Sequence, residues 1–289
     1  MKDFQNPPRF FRPGLTILLL TSVLMSSTVI AKGKPKQSNR FAIGLGVAQS
    51  TNVFKGLDDN IDPAVLLDVR LGGFFARRMY SFDQELTIGY DLFENDSVTL
   101  ALAASMGGNN LEVKNQQLHL GIQDRDAANE AGFVFRYYSR IGLLEANYFQ
   151  DISDTHDGVH GQIKISNPLP GHGKLDIVPG FFFTYYGAKY NRYYYGVTRE
   201  ENELGNSLYL DDDGNNITTL EQFEGFRPVY TPGNSIHAGV DVYLQYNFSK
   251  NLYASGYIAY EDFTGEVEGS PLVEDKSAIT TLIGLNYQF

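Results

Sequence analysis

The chain carries 289 residues with a formal charge of −11, no cysteine and no tryptophan, but 19 tyrosines, 20 phenylalanines and 29 glycines. The missing cysteines remove disulfides, thiolate metal sites and thiol nucleophiles from consideration. The acidic balance argues against a nucleic-acid partner, whose phosphates would need a basic surface.

At the start, Lys2, Arg9 and Arg12 precede an apolar run at 15–30 that Thr16, Thr21, Ser22, Ser26, Ser27 and Thr28 interrupt. The run falls short of the roughly 20 apolar residues that a spanning helix prefers. Val29, Ile30 and Ala31 supply residues that a signal peptidase tolerates. Residues 1–31 are therefore expected to be a cleaved signal peptide, 32–39 a linker, and 40–289 one domain. No comparable apolar run follows, so an exported chain of this kind enters a membrane only as a closed barrel.

Alternation of apolar and polar or small residues supplies the strands, since successive side chains on a strand face opposite ways. In chain order the pattern runs through 41–47, 65–71, 85–93, 98–106, 133–138, 143–149, 159–166, 175–185, 236–248, 252–260 and 279–289. In 98–106, Val98, Leu100, Leu102, Ala104 and Met106 face outward. In 236–248, Ile236, Ala238, Val240, Val242, Leu244, Tyr246 and Phe248 do so, leaving His237, Asp241, Gln245 and Asn247 inside. The last strand puts Ile279, Thr281, Ile283, Leu285, Tyr287 and Phe289 on one face.

These eleven strands leave an odd count, whereas single-chain bacterial barrels have an even one. Short connections at 94–97, 139–142 and 249–251 belong in the periplasm, and longer ones at 109–130, 151–158, 186–235 and 261–276 outside. Tracing back from a periplasmic C-terminus, parity breaks between Val65 and Glu85, and 74–82 is the best extra strand. The expected fold is an all-β, antiparallel transmembrane β-barrel of twelve strands, ten being the alternative. Inward charges such as Asp68, Arg70, Arg136, Glu145 and Lys164 would either line a narrow pore or pair and plug it.

Catalytic signals are sparse. His156, Asp157 and His160 form the one dense titratable cluster; the two histidines, four apart, point the same way in a strand or a helix, which suits a metal or a base. A loop beside a strand end is equally an ordinary place for exposed His and Asp. His119 and His172 stand alone. The run from Asp211 to Asn216 offers oxygens to a hard cation but lacks the bidentate glutamate of an EF-hand, and reads better as a solvated acidic loop. The tyrosines Tyr185, Tyr186, Tyr190, Tyr193, Tyr194 and Tyr195 suit an interfacial aromatic girdle. No enzyme, metal or cofactor is expected.

Several segments carry a family resemblance. Val53-Phe54-Lys55-Gly56-Leu57-Asp58-Asp59 with Pro63, the stretch DISDTHDG at 151–158, Tyr194-Tyr195-Gly196-Val197, Ser270-Pro271-Leu272-Val273 and the terminal Tyr287-Gln288-Phe289 together resemble the MipA/OmpV family across nearly the whole mature chain. The chain departs from the family pattern at Glu200-Glu201-Asn202-Glu203-Leu204 and at the insert-like 211–216. The resemblance implies a bacterial outer-membrane protein with an adaptor role, similar to a scaffold joining a lytic transglycosylase to a murein synthase in peptidoglycan growth. Relatives described as surface antigens, or linked to adhesion and antibiotic sensitivity, imply the alternative of a narrow channel or surface protein. Lipids, lipopolysaccharide and the barrel-assembly machinery, which reads the Tyr-x-Phe end, are the implied partners. Murein enzymes lie in the periplasm while Tyr194 and Ser270 fall in external loops, so these motifs are expected to serve packing.

Overall fold

A computed structural model describes residues 39–78, 86–107, 110–112, 121–170, 173–207 and 228–289. Among them run twelve strands: β1 (Arg40–Ser50), β2 (Asn60–Leu71), β3 (Phe74–Arg78), β4 (Leu86–Glu94), β5 (Val98–Met106), β6 (Asn129–Ser139), β7 (Gly142–Asp151), β8 (Val159–Ser166), β9 (Leu175–Tyr186), β10 (Ser235–Asn247), β11 (Leu252–Asp262) and β12 (Ser277–Gln288). Each pairs antiparallel with its chain neighbours, and β12 closes on β1 in a register running from Ala42 opposite Gln288 to Ser50 opposite Thr280. Closure leaves no edge, so every strand finds partners for its backbone groups on both sides. The twelve-strand expectation holds, with β3 as the strand that restores parity. Part of the expected 74–82 strand, like the expected signal peptide, His119, His172 and the acidic run 211–216, lies outside the described residues.

Both ends of the barrel wall, Arg40 and Gln288, sit with the connections 72–73, 95–97, 140–141, 167–174 and 248–251. Short connections and termini mark the periplasmic end of an outer-membrane barrel. These turns are built by small polar side chains: Asn95 Oδ1 accepts the backbone N–H groups of Ser97 at 2.9 Å and Val98 at 2.8 Å, fixing the chain reversal locally. The other end carries the longer connections, including 107–128, 187–234 and 263–276.

The outer surface is the apolar face read from alternation. Leu45, Val47, Ile283 and Leu285 stand exposed, whereas Ala42, Ala48 and Asn286 between them are buried. One departure occurs in β4, where the register shifts between Asp91 and Phe93. This bulge lets Leu92 and Phe93 both face outward while Asp91 turns in.

Inside, strands poor in side-chain volume face strands rich in it. Ala101, Ala103 and Val134 pack with Phe75 and Phe149, while Ala48, Ala64, Leu66, Tyr253 and Leu282 form a second cluster. Small barrels fill their interiors by such large and small pairing. A methyl group on Gly239 would lie 2.2 Å from Phe182 Cζ and 2.6 Å from the Tyr260 carbonyl. Charges fill the periplasmic half: Arg70 pairs with Asp91 and, at 3.6 Å, with Glu94, Arg136 with Glu145, and Lys164 with Asp241. Tyr257 donates its hydroxyl to the same Asp241 at 3.1 Å. Arg70 and Asp91 are both buried, and breaking a buried pair by removing one partner costs about 3–5 kcal/mol.

Gly239→Val is expected to destabilise the refolded barrel by about 1–3 kcal/mol through overpacking, and adding Phe182→Ala should recover part of that loss. Urea unfolding in detergent micelles measures both.

Candidate functional site

The external mouth is occupied by the loops themselves. Among the described residues of 187–234 the chain forms two helices, α1 (Ala188–Tyr195) and α2 (Arg199–Ser207). Tyr190, Tyr194, Tyr195 and Val197 from this segment pack with Val53 and Phe54, with Leu111 and Ile122, and with Phe263, Val267, Leu272 and Val273, so four connections share one apolar cluster. The cluster sits in the barrel mouth. Tyr190 lies 5.7 Å from the inward-facing ring of His160, and Phe263 lies 4.9 Å from that of His237.

Backbone and side-chain bonds tie the loops to one another. The amide of Lys55 donates to the Leu272 carbonyl at 2.9 Å, and that of Glu274 to the Val53 carbonyl at 2.9 Å. Ser270 Oγ donates to the Tyr195 carbonyl at 2.7 Å and accepts the Leu272 amide at 3.1 Å. Phe54 stacks on Tyr195 at 5.6 Å. The motif residues Tyr194, Tyr195, Gly196, Val197, Ser270 and Pro271 thus come together in one knot. Tyr287 and Phe289 lie elsewhere, at the β1–β12 seam, where the Phe289 amide donates to the Phe41 carbonyl at 2.9 Å and the two rings meet at 5.1 Å. The girdle expectation is corrected for most of the tyrosine run: Tyr185 faces the lipid, but Tyr186, Tyr190, Tyr194 and Tyr195 are buried. The helical turn of α1 carries the latter three inward, a periodicity that a strand reading of the region does not contain.

At Glu200-Glu201 the segment builds a capping box at the start of α2. The Glu201 amide donates to Thr198 Oγ1 at 3.1 Å, and the Thr198 amide to Glu201 Oε2 at 2.9 Å. Glu201 Oε1 also accepts Arg125 Nη2 at 2.6 Å and the Gln123 amide at 3.1 Å. Burial alone would push this carboxyl up, but those donors together hold it below its ordinary value.

Beneath α1 lies the most densely titratable place among the described residues. His156 Nε2 is 3.3 Å from Glu130 Oε1, and His160 Nε2 is 3.1 Å from Glu130 Oε2. All three residues are buried. Asp151 organises the loop behind them: its Oδ2 accepts the amides of His156 at 2.6 Å and Asp157 at 2.8 Å, and its Oδ1 accepts the Ser153 amide at 2.7 Å. The Gly158 amide donates to His156 Nδ1 at 2.9 Å. A ring nitrogen that accepts a backbone N–H carries no proton, so the proton of neutral His156 sits on Nε2. That tautomer leaves Nε2 without a lone pair for a metal. Asp157 does not join the centre; its exposed carboxylate lies 3.6 Å from Lys189. The hidden members, Glu130 and Asp151, carry no local sequence signal that marks them as partners of the histidines.

A family model described as MltA-interacting protein MipA matches residues 43–289. The chain belongs to this family. The MltA-interacting protein of Escherichia coli strain K12 is 23% identical over 95% of this chain and 99% of its own length. The 24 kDa outer membrane protein of Pasteurella multocida is 22% identical over 87% of this chain and 91% of its own. Among solved structures, the NanC porin aligns over 85% of this chain and 98% of its own with 8% identity and a TM-score of 0.43. This MipA-family barrel is an outer-membrane protein.

Because the folded Glu201 carboxyl lies below its ordinary value of 4.5, its contribution is present above that pH and is lost as pH falls through the lowered folded value. Proteolytic nicking of α2 is expected to rise in that acid window, and Glu201→Gln should abolish the step while raising nicking at neutral pH.

Proposed function

We propose that this barrel is a non-catalytic adaptor of the outer membrane, holding murein-cutting and murein-building enzymes at its periplasmic face. What carries the reading is its kinship, across almost the full length of both chains, with a protein named for interacting with MltA.

The interior adds support by weakening the competing reading of a channel. Side chains lining a water-filled pore stay wet. Here Arg70, Arg136 and Asn286 near the periplasmic end, Asp241 further in, and His237 and Glu130 near the mouth all keep less than a tenth of their surface exposed. With the passage packed by ion pairs below and knotted loops above, the surfaces left for partners are the turns and the wall. Ile141, 81% exposed at a turn tip, is the kind of apolar contact a protein partner covers. Lipid and lipopolysaccharide would meet the wall, and the assembly machinery the Tyr287-Gln288-Phe289 end. Tyr194, Tyr195, Gly196, Val197, Ser270 and Pro271 serve to pack the mouth in this reading.

Photo-crosslinkers placed at Asn95, Arg140 and Asn251 in intact cells are expected to capture murein hydrolases or synthases, while one at Asp157 captures none. Assembled barrels whose turns capture no murein enzyme would contradict the adaptor reading.

A further inference from the structure

We propose, on the basis of the adaptor reading, that the periplasmic rim is two docking sectors of opposite character, and that the arc of the β6–β7, β8–β9 and β10–β11 connections receives an acidic surface of one murein enzyme. Around the closed barrel the rim runs through 72–73, 95–97, 140–141, 167–174 and 248–251 before it reaches the β12–β1 seam. Arg140, Lys174 and Lys250 stand exposed on three consecutive connections. The other two present Gly72 and Gly73, then Asn95, Asp96 and Ser97, with Glu94 at the strand end and no cation. Two neighbouring charges are already engaged: Asp176, the carboxylate on the arc, accepts Asn247 Nδ2 at 3.1 Å, and Arg40 at the seam lies 3.1 Å from inward-facing Asp68.

The middle connection of the arc does more than reverse the chain. Hairpin loops commonly take about 2–5 residues, whereas the whole of 167–174 joins β8 to β9. Pro168 and Pro170 fix their own backbone angles. The Asn167 and Leu169 amides donate to the Pro179 and Ile177 carbonyls at 3.1 and 2.9 Å, and the Lys174 carbonyl accepts the Asn247 amide at 2.8 Å. Lys174 Nζ donates to the Phe248 carbonyl at 3.4 Å. The β8–β9 and β10–β11 connections are thus tied to each other, so Leu169, Lys174 and Lys250 share one support. A surface ordered before it meets a partner loses less freedom on binding.

The chemistry of the arc selects its occupant. Fixed cations on adjoining connections draw in a surface rich in carboxylates, repel a basic one and set the register of the encounter. Exposed Ile141 and Leu169 supply the apolar contact that such a partner covers. The same partner is turned away from the 95–97 turn, where Asp96 stands exposed. Two enzymes of different surface charge therefore fit one rim side by side.

The test compares photo-crosslinkers at Leu169 and at Asn95 in intact cells, each in the unaltered barrel and in a barrel carrying Arg140→Glu and Lys250→Glu. Assembly is checked by the heat-modifiable migration of the folded barrel on gels. Charge reversal is expected to lower capture of a murein enzyme at Leu169 by about tenfold and to leave capture at Asn95 unchanged. In isolated outer membranes of the unaltered protein, raising salt should weaken capture at Leu169 in the same way, because exposed charges are screened. Capture at Leu169 that survives both charge reversal and salt overturns the proposal alone, as does an equal loss at Asn95. Crosslinks from Leu169 to phospholipid only would also overturn it and make the arc a lipid contact. No murein enzyme captured at any turn contradicts the adaptor reading itself, and the docking sectors fall with it.

Discussion

Backbone hydrogen bonding in hydrocarbon is the constraint on which the rest of the molecule depends. An unpaired N–H or C=O inside a bilayer costs several kcal/mol, and a chain without long apolar helices escapes that cost by joining its last strand to its first. The β1–β12 register does this over nine residue pairs from Ala42 to Ser50. Small residues at that seam, among them Gly44, Gly46 and Gly284, leave the interior space that Leu66 and Asn286 then fill.

Closure creates a second requirement, since the inward faces of twelve strands must also be satisfied. The periplasmic half answers with ion pairs and the external half with loops folded back onto inward-facing histidines. The two halves use different physics. Buried pairs such as Arg70 with Asp91 repay their desolvation through mutual attraction and contribute little net stability, although losing one member is costly. The loop knot gains from apolar burial and is anchored by a few directed bonds, notably Ser270 to Tyr195 and Arg125 to Glu201. An element held by few anchors opens more readily than the wall around it, which places any regulated motion at the mouth.

Much of the wall was legible in the sequence because period-two alternation has one dominant cause, the difference between lipid outside and packed lumen inside. The β4 bulge escaped that reading, since Leu92 and Phe93 are both apolar and only the register shift puts them on the same side. The mouth was legible in part. Whereas the capping-box spacing of Thr198 and Glu201 was passed over, His156 with His160 stood out as a pair. Their partner Glu130 did not, because it reaches them across β7 through tertiary structure alone. The tyrosine run misled for a similar reason: a helix eight residues long inside a loop turned rings inward that a strand would have shown to the membrane interface.

If, as proposed, ion pairs and folded-back loops close the lumen, this outer-membrane barrel offers surfaces to partners rather than a path for solutes. Planar-bilayer recording of the purified, folded protein at neutral pH tests it most directly. A closed lumen gives a baseline without steady conductance steps. Reproducible open-channel steps whose ion selectivity changes on Arg136→Gln would contradict it and make the lumen a pore.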